Sequence, residues 1–239
     1  MSPVLGSKKV VIITGASQGI GAGLASRFRD EGYAVVGTSR SIASAFDSGY
    51  LTVQGDIADV ETARRLAQRT LDHFGRIDTL INNAGVFIAK PFTQYTLDDF
   101  AAATAVNLAG FFHITQVAIG QMVAQGGGHI VNITTSLVDH ADSQRPAALA
   151  SLTKGGLAAV TRSLATEYAR HGVRVNAVAP GVIKTPAHDD ASYEGMADVQ
   201  PLGRLGAVSD IVDAVLYLER APFVTGEILH VDGGWAAGH

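Results

Sequence analysis

The chain of 239 residues contains no cysteine. That absence excludes a disulfide framework, a thiol nucleophile and a cysteine-ligated metal, and no metal site of another kind is expected. Charge is also scarce: charged residues make up 17%, the formal net charge is −4 and no basic run occurs. The electrostatic footprint of a nucleic-acid binder is therefore missing, and no nucleic-acid partner is expected. No uninterrupted apolar run approaches the roughly 20 residues that span a bilayer. Residues Met1 to Lys9 likewise hold no long apolar stretch of the kind a secretory leader needs. These absences predict a soluble protein without a membrane partner, and a reducing cytoplasm suits the lack of thiols. Small molecules are the expected partners.

What the chain does hold is apolar surface and turns, with 47% hydrophobic residues and 27 glycines. That profile belongs to a well-buried globule. One α/β domain commonly takes roughly 200–250 residues, so 1–239 is expected to be a single domain. Short apolar runs at Val10–Thr14, Ala34–Ser39, Leu51–Gln54, Thr79–Asn82, Ile130–Thr134, Arg174–Ala179 and Ile228–Val231 read as strands. They alternate with helical periodicity at Ile20–Asp30, Glu61–His73, Asp98–Ala124, Leu149–Arg170 and Asp210–Leu218, with Thr96 and Ser209 as N-caps. Repeated βα units predict a doubly wound sheet of about seven parallel strands with helices on both faces. Only about 184–206 lacks clear periodicity, which marks a candidate substrate lid.

Directly after the first strand comes Thr14-Gly15-Ala16-Ser17-Gln18-Gly19-Ile20-Gly21, which runs straight into the first helical pattern. Gly15 permits a tight turn, Gly19 lets backbone approach a pyrophosphate and Gly21 lets helix and strand pack closely. Ser17, Gln18 and Ile20 stand beside them, where phosphate meets the N–H groups of the helix start. The context between strand and helix makes this a strong sign of a dinucleotide site on a Rossmann-type sheet.

The glycine spacing is longer than the generic fingerprint, and here the chain resembles the short-chain dehydrogenase/reductase family. Asn82-Asn83-Ala84-Gly85 looks like its NNAG segment, and Asp56, followed by Ile57, looks like its adenine-contacting aspartate. Pro180-Gly181 resembles its PG turn, with Ile183 and Thr185 beyond it, and Val231-Asp232-Gly233-Gly234 its C-terminal signature. The resemblance covers essentially the whole chain and adds Asn83, Ala84, Gly85, Pro180, Gly181, Ile183 and Thr185 to the expected cofactor contacts. It also implies a homotetramer or homodimer.

Cofactor choice is expected at the end of the second strand, where a carboxylate would bond a ribose 2′-hydroxyl and repel a 2′-phosphate. The residues there are Thr38-Ser39-Arg40. Without an acid, and with a guanidinium able to fork onto phosphate, NADP(H) is favoured over NAD(H). The alternative for Arg40 is a solvated loop cation.

The family's active site is an Asn-Ser-Tyr-Lys tetrad. Asn107 resembles the asparagine and Lys154, which would also hold the nicotinamide ribose, resembles the lysine. The tyrosine belongs one turn before the lysine, at i−4, and that position is Ala150. Counting forward from Asn132 places the serine hydroxyl at Thr135, and counting back from Ala150 points nearer Ser136; both stay open. Loss of a positioned acid forfeits about 10²–10⁴ in rate. Lys154 acting through water is the first substitute, because a dry pocket lowers a lysine pKa. Ser151, His140, Asp139, Tyr193 and His188 are the others. An iminium substrate needs no proton at the hydride step, and alanine leaves room for a bulkier one. Two readings follow: an NADP(H)-dependent oxidoreductase acting on a carbonyl or imine without the tyrosine, or an inactive NADP(H)-binding protein with a sensing or scaffolding role.

Overall fold

The computed structural model describes residues 8–186 and 195–238. Its strands are β1 (Val10–Thr14), β2 (Ala34–Ser39), β3 (Tyr50–Gln54), β4 (Thr79–Asn82), β5 (Gly128–Ile133), β6 (Val173–Pro180), β7 (Ile183–Lys184), β8 (Gly206–Ala207) and β9 (Ile228–Val231). Seven of them form one sheet in the order β3-β2-β1-β4-β5-β6-β9, with every neighbouring pair parallel. All seven expected strands are present, and β5 starts two residues earlier than the apolar run and leaves out Thr134. The doubly wound parallel sheet expected from the sequence is the fold observed.

Strand alternation divides the core between two faces. Val10 and Ile12 of β1 point to the side holding Leu66 of α2 (Val60–Phe74), Ile114 and Met122 of α4 (Phe111–Ala124) and Ala165 of α5 (Ala148–Tyr168). Val11 and Ile13 point to the other, against Leu24 and Phe28 of α1 (Gly19–Asp30) and Ile211 and Val215 of α6 (Val208–Arg220). Burial on both faces explains why these strands read as continuous apolar runs.

Two expectations need correction. The helix expected over Asp98–Ala124 is α3 (Leu97–Thr104) joined to α4 through a π-helical segment at Ala105–Gly110, and Thr96 caps it in a reciprocal box with Asp99. The continuous helix is long and apolar enough by length and composition to cross a bilayer. Its Ile114, Ala118 and Met122 nonetheless pack on strand residues in the core. Ser209 is not an N-cap: α6 begins at Val208, and the Asp210 carboxylate accepts the Ala207 N–H (2.8 Å), so the acid one residue later performs the capping. The candidate lid is bounded by a separate parallel pair, Ile183↔Gly206 and Lys184↔Ala207. Its central part, 187–194, lies outside the described residues, and His188 and Tyr193 lie there too.

The starts of the strands carry a buried polar cluster. Glu219 accepts hydrogen bonds from His129 Nδ1 (2.7 Å), Tyr33 Oη (2.9 Å) and Thr79 Oγ1 (3.1 Å). The Asn176 amide donates to Val224 O and to His129 Nε2 while its Oδ1 accepts the Glu227 N–H, which fixes His129 as the neutral Nδ1–H tautomer. Burial lowers the His129 pKa and raises that of Glu219, but the hydrogen bonds outweigh burial and hold the Glu219 carboxyl below its ordinary range.

Candidate active site

The strand order reverses between β1 and β4, so a crevice opens beyond their carboxyl ends, where open α/β sheets bind ligands. Two threads close its floor. The Thr14 hydroxyl oxygen accepts the N–H of Asn83 (3.1 Å) and of Ala84 (3.0 Å), and Asn83 Nδ2 donates to Thr14 O (2.9 Å) and Gly15 O (3.2 Å). The glycine loop and the Asn83-Ala84-Gly85 segment thus hold each other. At Gly21 a Cβ would stand 2.1 Å from Gly15 O, so helix and loop meet there only without a side chain.

Helix α1 starts at Gly19 with Gln18 as its N-cap and no side-chain cap, which leaves the first N–H groups available to a ligand. Gly15, Ser17 and Gln18 line one side of a groove of about 230 Å³. Ser39, Arg40, Asp56 and Ile57 line another side, and Asn83, Ala84 and Gly85 its floor. Arg40 is exposed, its carbonyl is fixed by Gln54 Nε2 (2.8 Å), and its guanidinium makes no ion pair among the described residues. Asp56 Oδ1 accepts the Ala58 N–H (3.0 Å). Thr185 touches the opposite wall, since a Cβ on Gly19 would lie 3.5 Å from its side chain. Pro180 ends β6, and Gly181 packs so closely on Asp232 and Gln200 that a Cβ would come within 2.9 Å of both. Ile183 begins β7, which leads to Thr185. Gln200, buried and donating to Val182 O and Arg204 O, shapes this wall and carried no signal in the sequence.

Lys154 and Asn107 meet at the end of the groove nearest Gly85. A Cβ there would lie 3.0 Å from Lys154 Nζ and 3.2 Å from Asn107 Oδ1, so glycine permits both to approach. The π segment turns Asn107 inward, 1% exposed, to bond Val86 through O and N–H and to donate to Thr153 Oγ1 (3.0 Å). Lys154 Nζ donates to Ile133 O (2.7 Å), and burial pulls its pKa down to about 8. Lysine made this labile can hold or release a proton near neutrality.

The two hydroxyls left open by the sequence part company. Ser136 is fully buried and donates to Ala179 O (3.1 Å), so it secures the turn Ser136–Val138 to β6. Thr135 is partly exposed, and its Oγ1 accepts the Leu137 N–H (3.3 Å), leaving its hydrogen for another acceptor. Ala150 does not open space: it is 3% exposed in an apolar cluster with Leu137, Ala147 and Trp235. Among the substitute acids, Ser151 donates to Leu137 O (3.1 Å) and Asp139 faces His230 (2.9 Å), so both are engaged elsewhere.

The family described as enoyl-(acyl carrier protein) reductase matches residues 15–236. Among curated relatives, a (2S)-[(R)-hydroxy(phenyl)methyl]succinyl-CoA dehydrogenase subunit of Thauera aromatica is 36% identical over 240 residues, covering 95% of this chain and 96% of that protein. A cis-4-hydroxycyclohexanecarboxylate dehydrogenase of Sinomonas cyclohexanicum is also 36% identical, covering 97% of this chain and 98% of that one. The solved structure of ElxO with NADP bound superposes with a TM-score of 0.89 at 30% identity, over 97% of this chain and all of the other.

Proposed function

The chain belongs to the short-chain dehydrogenase/reductase family, and from that premise we propose that it is an NADP(H)-dependent oxidoreductase transferring hydride to a carbonyl or imine without a tyrosine acid. The observation that carries the reading is the groove: an uncapped helix start at one wall, Arg40 at the other and no carboxylate at Thr38-Ser39-Arg40. Its donors suit a pyrophosphate and a 2′-phosphate. NADP(H) bound there supplies the hydride. A solved relative in the same fold, ElxO, has NADP bound.

The chain's own residues then have distinct tasks. Gly15 to Gly21 and the start of α1 hold phosphate, Arg40 forks onto the 2′-phosphate and Asp56 with Ile57 borders the adenine side. Lys154 holds the ribose and places positive charge beside the reacting centre, where low dielectric strengthens it. Asn107 keeps the Val86 backbone and Lys154 in register. Thr135 donates its free hydroxyl hydrogen to the substrate oxygen. Incubation with NADPH or NADH and a series of ketones, activated carbonyls and cyclic imines tests this: NADPH is consumed faster than NADH, and no consumption above buffer refutes it.

The apolar packing of Ala150 favours a second reading, in which the chain binds NADP(H) and no longer turns over. Tight NADPH binding without consumption of any substrate identifies it. We also propose a homodimer or homotetramer joined across α4 and α5, where Phe112 is 57% exposed beside apolar grooves of about 400 and 390 Å³. Phe112→Glu then lowers the mass measured in solution.

A further inference from the structure

We propose that His140 is the residue that gives the substrate oxygen its proton, reaching it from the Trp235 side of the site. The inference rests on the hydride-transfer reading and names the acid that reading leaves open.

Position 150 is vacant of any titratable group, and its surroundings show what stands in its place. Ala150 shares a buried cluster with Trp235, and the His140 ring lies edge-on to the Trp235 indole with centroids 6.2 Å apart. The imidazole therefore borders the cluster that a phenol at position 150 would enter. It is held there from below: the His140 N–H donates to Ser136 O (2.9 Å), which continues the turn that begins at Thr135. His140 and Thr135 consequently come from one short rigid segment, a good support for two groups that must meet at one oxygen.

The competing groups are spoken for. Lys154 Nζ donates to Ile133 O and stands beside Gly85 and Asn107. Ser136 and Ser151 donate to backbone carbonyls, and Asp139 pairs with His230. The His140 ring, partly exposed, has no hydrogen-bond partner among the described residues, so its N–H is available. In the step itself, the carbonyl carbon gains the C–H bond from reduced nicotinamide. As it does, the carbonyl oxygen forms an O–H bond with the imidazolium proton, and the His140 N–H bond breaks. The neutral imidazole then recovers a proton from water.

The test compares His140→Ala with the unaltered protein on an activated ketone, an α-keto ester, and on a preformed N-alkyl cyclic iminium salt, which requires no proton. The expected result is a loss of about 10²–10⁴ on the ketone with unchanged reduction of the iminium, and partial recovery of the ketone rate on adding free imidazole. A readout independent of turnover is carbethoxylation of His140, mapped by mass spectrometry, which the ketone slows. Equal losses on both substrates, no loss on the ketone, or labelling indifferent to ketone overturns the assignment while leaving hydride transfer standing. Failure of the unaltered protein to consume NADPH with either substrate overturns the underlying reading, and the role of His140 with it.

Discussion

Replacing Ala150 by tyrosine, the obvious repair, should fail, and the packing says by how much. Leu137, Ala147, Ala150 and Trp235 are all between 3% and 7% exposed, so a phenol grown from the Ala150 Cβ enters filled volume. Overpacking of this kind costs about 1–3 kcal/mol, which lowers the melting temperature of a domain this size by about 2–12 °C. Trp235→Ala alone removes a buried indole and costs about 3–5 kcal/mol. In the double variant the phenol fills the space the indole leaves, so the two changes compensate by about 0.5–3 kcal/mol relative to their sum. Thermal denaturation of the four proteins measures this coupling, and ketone reduction is followed in parallel. The single variant is expected to melt lower and to gain no ketone reduction. A single variant that melts at the original temperature and reduces ketones would refute the reasoning, because a ready pocket for the phenol would then exist.

Arg40→Ala should weaken NADPH binding by roughly 10–100-fold, the worth of a charge-assisted hydrogen bond, and leave NADH binding unchanged, as titration calorimetry would show. Gly21→Ala drives a Cβ to within 2.1 Å of Gly15 O, so NADPH binding is lost, whereas the exposed Gly32→Ala binds normally. NADPH binding should weaken as pH rises through about 8, where Lys154, which holds the ribose, loses its charge, far below the 10.5 of a free lysine; binding that is flat to pH 10 contradicts the role given to Lys154. In the folded state His129 and Glu219 hold their protons less tightly than their ordinary 6.5 and 4.5. Their contribution to stability is therefore complete above 6.5 and is lost as pH falls, first through His129 and then through Glu219. Melting temperatures across this range should drop with acid, and Glu219→Gln should remove the part of the drop that belongs to Glu219 while lowering stability by about 1–3 kcal/mol at neutral pH, the cost of buried donors left without their acceptor.

The strands were legible because the inner ones are buried on both faces, so their apolar runs stand out, and the glycine loop was legible because its turn, its close approach and its helix start are all local. What escaped was settled by distant partners. The π segment that turns Asn107 inward depends on Val86 and Thr153. Ser136 was separated from Thr135 by Ala179, a residue on the neighbouring strand. Ala150 read as open space because Trp235, which closes it, lies 85 positions along the chain. The Ser209 cap misled for a local reason: α6 starts at Val208, so Ser209 already lies inside the helix, and it is Asp210 that reaches back to the Ala207 N–H.

The most direct test of the central claim is transfer of label. NADPH carrying deuterium at the reactive carbon of the nicotinamide is incubated with the protein and the carbonyl or iminium substrate, and the product is weighed by mass spectrometry. One deuterium is expected on the former carbonyl or iminium carbon, on one face only. Saturable NADPH binding with no deuterium in any product would contradict it and leave a nucleotide-binding protein in its place.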